Sequence, residues 1–94
     1  MKTSNAYSVG VTANTGSQTT TLPTGSGEVL VVNDSTTISA YLDLHGNEAT
    51  TGDWELKPEE VLVLSDFRTK AISYITSTST AALRILVLYW DQNS

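Results

Sequence analysis

The sequence has no cysteine, so neither a disulfide nor a thiolate metal site can hold it together. His45 is its one histidine, which excludes a multi-histidine metal centre. The five basic residues, Lys2, Lys57, Arg68, Lys70 and Arg84, are scattered, and ten acidic ones leave a net charge of −5. A phosphate-binding surface needs clustered Lys and Arg, so no nucleic-acid partner is expected. No apolar run approaches the ~20 residues of a membrane-spanning helix, and no membrane partner is expected either. The first 27 residues lack the apolar stretch of a signal peptide. Charged residues make up only 16% of the chain, below the usual quarter. What stands in their place is fifteen Thr and eleven Ser. With 94 residues the chain is one domain's worth, and its own core leaves a thin margin of stability.

Composition changes near Gly27. Residues 1–27 hold seven Thr, four Ser and four Gly, and few large apolar groups. Tyr7, Val9 and Val11 alternate with Ser8 and Gly10, which predicts one short half-buried strand. Asn14-Thr15-Gly16-Ser17 reads as a turn, Gln18 to Leu22 as a second short strand, and Pro23 to Gly27 as a break. The expectation is an extended Thr/Ser-rich N-terminal arm over residues 1–27, either mobile or ordered against a neighbouring subunit. Residues 28–94 then form the folded domain.

Glu28 to Val32, Ile38 to Leu44, Trp54 to Leu56, Val61 to Ser65, Lys70 to Thr76 and Ala82 to Trp90 read as strands separated by turns. Pro58, unable to donate to a ladder, ends the Trp54 strand. Asp66-Phe67-Arg68-Thr69 reads as a connection. No convincing helix is found. The fold class is therefore all-β, an antiparallel β-sandwich of jelly-roll-like arrangement.

Several of these strands are apolar on both faces. In the last, Leu83, Ile85 and Val87 point one way and Arg84, Leu86, Leu88 and Trp90 the other. Val29 and Val31 against Leu30 and Val32, and Val61 and Val63 against Leu62 and Leu64, repeat the pattern. A sandwich this small has one interior, so the second apolar face must be covered by residues 1–22 or by another subunit. Leu86, Leu88 and Trp90 are the candidate oligomer contacts, because the face that begins with Arg84 is the one left outside the core.

Candidate chemistry is sparse. Asp43 and His45 lie at strand spacing with Glu48 nearby, a pattern that fits a weak metal site but fits a solvated loop rim better. Asp53, Glu55, Glu59 and Glu60 flank a proline turn, where solvated charge is the ordinary explanation. No nucleophile elbow surrounds any Ser, and no Gly-rich phosphate loop occurs. Asn33-Asp34-Ser35 matches a glycosylation sequon but reads better as a turn. Trp54, Trp90 and the tyrosines have the faces for sugar stacking, though aromatics also anchor interfaces. The chain is expected to be neither an enzyme nor a holder of catalytic residues, metal or cofactor.

The block from Glu28 to Tyr89 resembles the small β-rich virion proteins of tailed bacteriophages. The resemblance rests on Val32-Asn33-Asp34-Ser35, Ile38 to Tyr41, Ala49-Thr50-Thr51, the turn Leu56-Lys57-Pro58-Glu59-Glu60, and Ala82-Leu83-Arg84-Ile85-Leu86. Glu59 stands where that pattern carries glycine. The resemblance implies a capsid decoration or cement protein on the virion surface. It implies the major capsid protein as partner and a homo-oligomer, most often a trimer. It implies no catalytic residues. The alternative is a receptor- or carbohydrate-binding module of a tail or head fibre.

Overall fold

The computed structural model describes the backbone of residues 3–22, 27–67 and 71–91, and the side chains of 6–22, 27–65 and 71–88. Eight strands follow in chain order: β1 (Thr3–Ala13), β2 (Gln18–Thr21), β3 (Gly27–Asn33), β4 (Ala40–Asp43), β5 (Trp54–Leu56), β6 (Val61–Phe67), β7 (Ala71–Ile75) and β8 (Ala81–Asp91). Among the described residues there is no helix. The eight strands correspond to the eight stretches picked out by alternation and β-branching. Of the expected Asp66-Phe67-Arg68-Thr69 connection, Asp66 and Phe67 instead continue β6, because the ladder with β3 runs on to Phe67 opposite Gly27; Arg68 and Thr69, the break at 23–26 and Lys70 fall outside the described residues.

The strands form two four-stranded antiparallel sheets, ordered β1-β8-β3-β6 and β2-β7-β4-β5. Six of the seven connections cross between sheets, and only β4 to β5 stays within one. Each strand that enters one sheet thus brings its inward residues against those of the other. Val29, Val31, Leu83, Ile85 and Val87 of the first sheet meet Leu42, Leu56, Ile72 and Tyr74 of the second in one core. Tyr7, Val9, Val11, Leu62 and Leu64 pack around it.

The expected division into an arm over 1–27 and a domain over 28–94 is corrected by the pairing. β1 is eleven residues long and pairs with β8 along its whole length, from Thr3 opposite Asp91 to Ala13 opposite Ala81. β2 pairs with β7. Ala13 and Leu22 are core residues. The scarcity of large apolar groups misleads here for two reasons. An edge strand needs only one apolar face, and Tyr7, Val9, Val11 and Ala13 supply it. β2 is held through its hydroxyls: Thr19 Oγ1 lies 2.7 Å from Ser73 Oγ, and Thr20 Oγ1 2.7 Å from Tyr74 Oη. Residues 3–22 therefore extend the two sheets sideways. They do not lie across the second apolar face.

Polar latches close one end of the sandwich, where β8 begins. Asn33 is fully buried at the end of β3. Its Nδ2 donates to the carbonyls of Ile38 (2.9 Å) and Leu56 (3.0 Å), and its Oδ1 accepts from the Ser35 N–H (2.9 Å). One side chain thereby joins the first sheet to the end of β5 in the second. Both Nδ2 donors are used inside the protein, so this asparagine serves the turn and offers no free amide for a glycan. At the same end, Thr76 N–H donates to the Asn14 carbonyl (2.8 Å) and Thr76 Oγ1 to that of Ser79 (2.7 Å).

Lys57-Pro58-Glu59-Glu60 is a turn in which Glu60 N–H donates to the Lys57 carbonyl at 3.0 Å. Glu59, its third residue, has φ +63°, the left-handed conformation that a type II turn requires there. This is the position where the resembling pattern carries glycine. Glu59 N–H donates to the carbonyls of Asn33 and Ser35, which holds the conformation in place.

Candidate interaction face

The period of two sends Leu30 and Val32 of β3, Val61 and Val63 of β6, and Leu86 and Leu88 of β8 to the outer face of the first sheet. Leu30, Val32 and Leu86 are half-buried, while Leu88, Val61 and Val63 are exposed at 42%, 50% and 54%. The pairing sets them in rows across the sheet. Ser8, Leu86, Leu30 and Val63 form one row, and Gly10, Arg84, Val32 and Val61 the next. Among the described side chains, the outward residues of β1 are Ala6, Ser8, Gly10 and Thr12, all exposed and all small. The face is thus high at β6 and low at β1. A shallow groove of about 400 Å³ lies over β8 between β1 and β3, lined by Ser8 and Gly10 on one side, Leu30 and Val32 on the other, and Arg84 and Leu86.

Among the described residues, this face carries one basic group, Arg84, against two acidic ones, Asp34 and Glu28. Arg84 pairs with Asp34, which follows β3. Glu28 sits two residues before Leu30 on the same face. The Arg84 side chain of the pair is mostly exposed, so the pair adds little to stability. The outer face of the second sheet differs, carrying Asp43 on β4 and Glu55 on β5 beside Tyr41.

The sequence-derived candidates distribute as follows. On β8, Leu83, Ile85 and Val87 are buried, and Leu86 and Leu88 face outward. Trp90 lies in the same strand, opposite Ser4, but its side chain is outside the described residues. Trp54 is exposed at 58% on β5, in the other sheet. Three of the carboxylates considered for acid–base or metal chemistry are engaged in turns. Asp43 Oδ1 accepts from the His45 N–H (2.7 Å), Asp53 Oδ2 from Thr50 N–H (2.8 Å), and Glu60 Oε1 from Lys57 N–H (2.9 Å). Among the described residues, no three His, Asp or Glu side chains are grouped to hold a metal. What the face can do is bury apolar surface. The small residues of β1 are the feature that sequence reasoning missed; their period of two, opposite Tyr7, Val9 and Val11, was the available signal.

No family model matches the chain, and no curated protein matches it.

Proposed function

We propose that this chain is a structural virion protein, a capsid decoration or cement protein that stabilises a phage head by bridging neighbouring capsid subunits. Its partners in this reading are the major capsid protein and other copies of itself, in a trimer on the capsid surface. Its role is mechanical, with no catalysis, cofactor, nucleic acid or membrane. The observation that carries the reading is the apolar outer face of the first sheet. Soluble monomers rarely expose contiguous apolar patches, and association there gains about 25 cal/mol per Å² of apolar area before ordering costs. The resemblance of residues 28–89 to phage virion proteins adds to it. We also read the strand order β1-β8-β3-β6 over β2-β7-β4-β5 as an eight-stranded jelly roll, an architecture used by capsid proteins.

The test is binding to emptied phage heads. Saturable attachment on the head surface, with a rise in the temperature at which heads rupture, is the expected result. Attachment to tails alone, or to neither, overturns it. The exposed Trp54 favours a second reading, a carbohydrate- or receptor-binding module. Quenching of tryptophan fluorescence by a glycan, lost in Trp54→Ala, would favour that reading over the first.

A further inference from the structure

The geometry points to a self-complementary contact on the first sheet, in which the raised β6 side of one copy seats on the lowered β1 side of the next. The inference rests on the self-association proposed above and names its residues. Four observations support it.

The high and low sides share rows. Val63 stands in the row of Ser8, and Val61 in the row of Gly10. Three strand spacings, about 14 Å, separate them. Rotation about an axis parallel to the strands keeps every residue at its height along the strand. Such an axis brings Val63 of one copy to Ser8 of the next and Val61 to Gly10, large against small at both positions. An axis running across the strands would instead bring Val63 against Val63 and Ser8 against Ser8.

Gly10 has no local reason to be glycine. It lies within the unbroken β1–β8 register, with no bulge. A Cβ built there meets nothing within 4 Å. A glycine inside a strand costs stability and commonly marks a place where something else comes close. Here Gly10 forms one wall of the groove over β8, and the open space above it is what a valine from another copy would fill.

The charge pattern selects the same face. Copies of a chain with net charge −5 repel unless they meet on a nearly neutral surface. The first sheet offers the Arg84–Asp34 pair and Glu28. The second presents Asp43 and Glu55 without a basic residue in their strands.

Finally, the occupant fits the chemistry of the ridge. Val61 and Val63 are half-exposed, β-branched and rigid, so they lose little side-chain freedom when covered.

A size swap tests the contact with the full chain. Gly10→Val fills the shelf, Val61→Ala trims the ridge, and the double variant exchanges large for small at one meeting point. Sedimentation reads association, and thermal melting confirms folding. Each single variant is expected to weaken self-association about tenfold, and the double variant to recover most of it. Thr21→Val, outside this face, should associate as the wild type does. If a single variant fails to fold, Val63→Lys serves in its place, because that side chain is already half in water and its charge would abolish the contact. Wild-type association unchanged by Val61→Ala and Val63→Lys overturns the ridge-and-shelf contact while leaving the oligomer intact. A wild-type chain that stays monomeric at high micromolar concentration overturns both the contact and the trimer, leaving head attachment to its own assay. A dimer responsive to the swap supports the contact and overturns only the threefold number, since the row rule holds for either rotation.

Discussion

At the residue scale, two side chains stand out for opposite reasons. Asn33 is polar and fully buried, and every one of its side-chain bonds is made. Asn33→Ala strands the Ile38 and Leu56 carbonyls and the Ser35 N–H, at a cost of roughly 2–4 kcal/mol. Urea unfolding should show the loss as a lower midpoint with an unchanged slope. Glu59 is the converse, an exposed residue in a conformation that favours glycine. Glu59→Gly removes the clash of Cβ with its own backbone, and should raise stability by about 1 kcal/mol despite the entropy of glycine in the unfolded chain. A thermal midpoint unchanged or lowered by Glu59→Gly would show that the turn is held by something other than this conformation. The sequence marks the Lys57–Glu60 turn through Pro58, and the resembling pattern marks the glycine position. The Asn33 latch is harder to read, because its partners lie five and 23 residues away.

At the element scale, β1 and β2 decide how the chain should respond to truncation. They are an edge strand of each sheet, and β1 covers one whole side of β8. Deleting residues 1–22 exposes the inward groups beneath Tyr7, Val9 and Val11 and leaves β8 and β7 with unpaired backbone. The truncated chain is expected to lose cooperative unfolding altogether, observable by circular dichroism and calorimetry. The strands themselves were legible from alternation and turn residues. Their integration was not, because a Thr- and Ser-rich segment looks poor in driving force when hydroxyl–hydroxyl bonds such as Thr19–Ser73 are counted as nothing.

At the scale of the whole molecule, the two faces of β8 give opposite phenotypes from neighbouring positions. Ile85→Glu puts a carboxylate into the core between the sheets and should unfold the chain, since an unpaired buried charge costs several kcal/mol. Leu88→Glu places the same group on the exposed outer face, so the monomer should keep its melting temperature and lose self-association. Sedimentation beside thermal melting separates the two, and a Leu88→Glu variant that assembles normally would remove β8 from the contact. The period of two along β8 had already separated these residues into two sets, because alternation is a property of the extended backbone alone. The same holds for the all-β class, the number of strands and the positions of most turns, which depend on neighbours within a few residues. What only the tertiary structure decided is which strands lie side by side. Six crossings between sheets put β1 beside β8 and β3 beside β6, and so set Gly10 and Ser8 in the same rows as Val61 and Val63. Rows across a sheet join residues more than fifty positions apart, and no local preference in the chain encodes that pairing; it arises from the one arrangement in which both sets of inward side chains share a core.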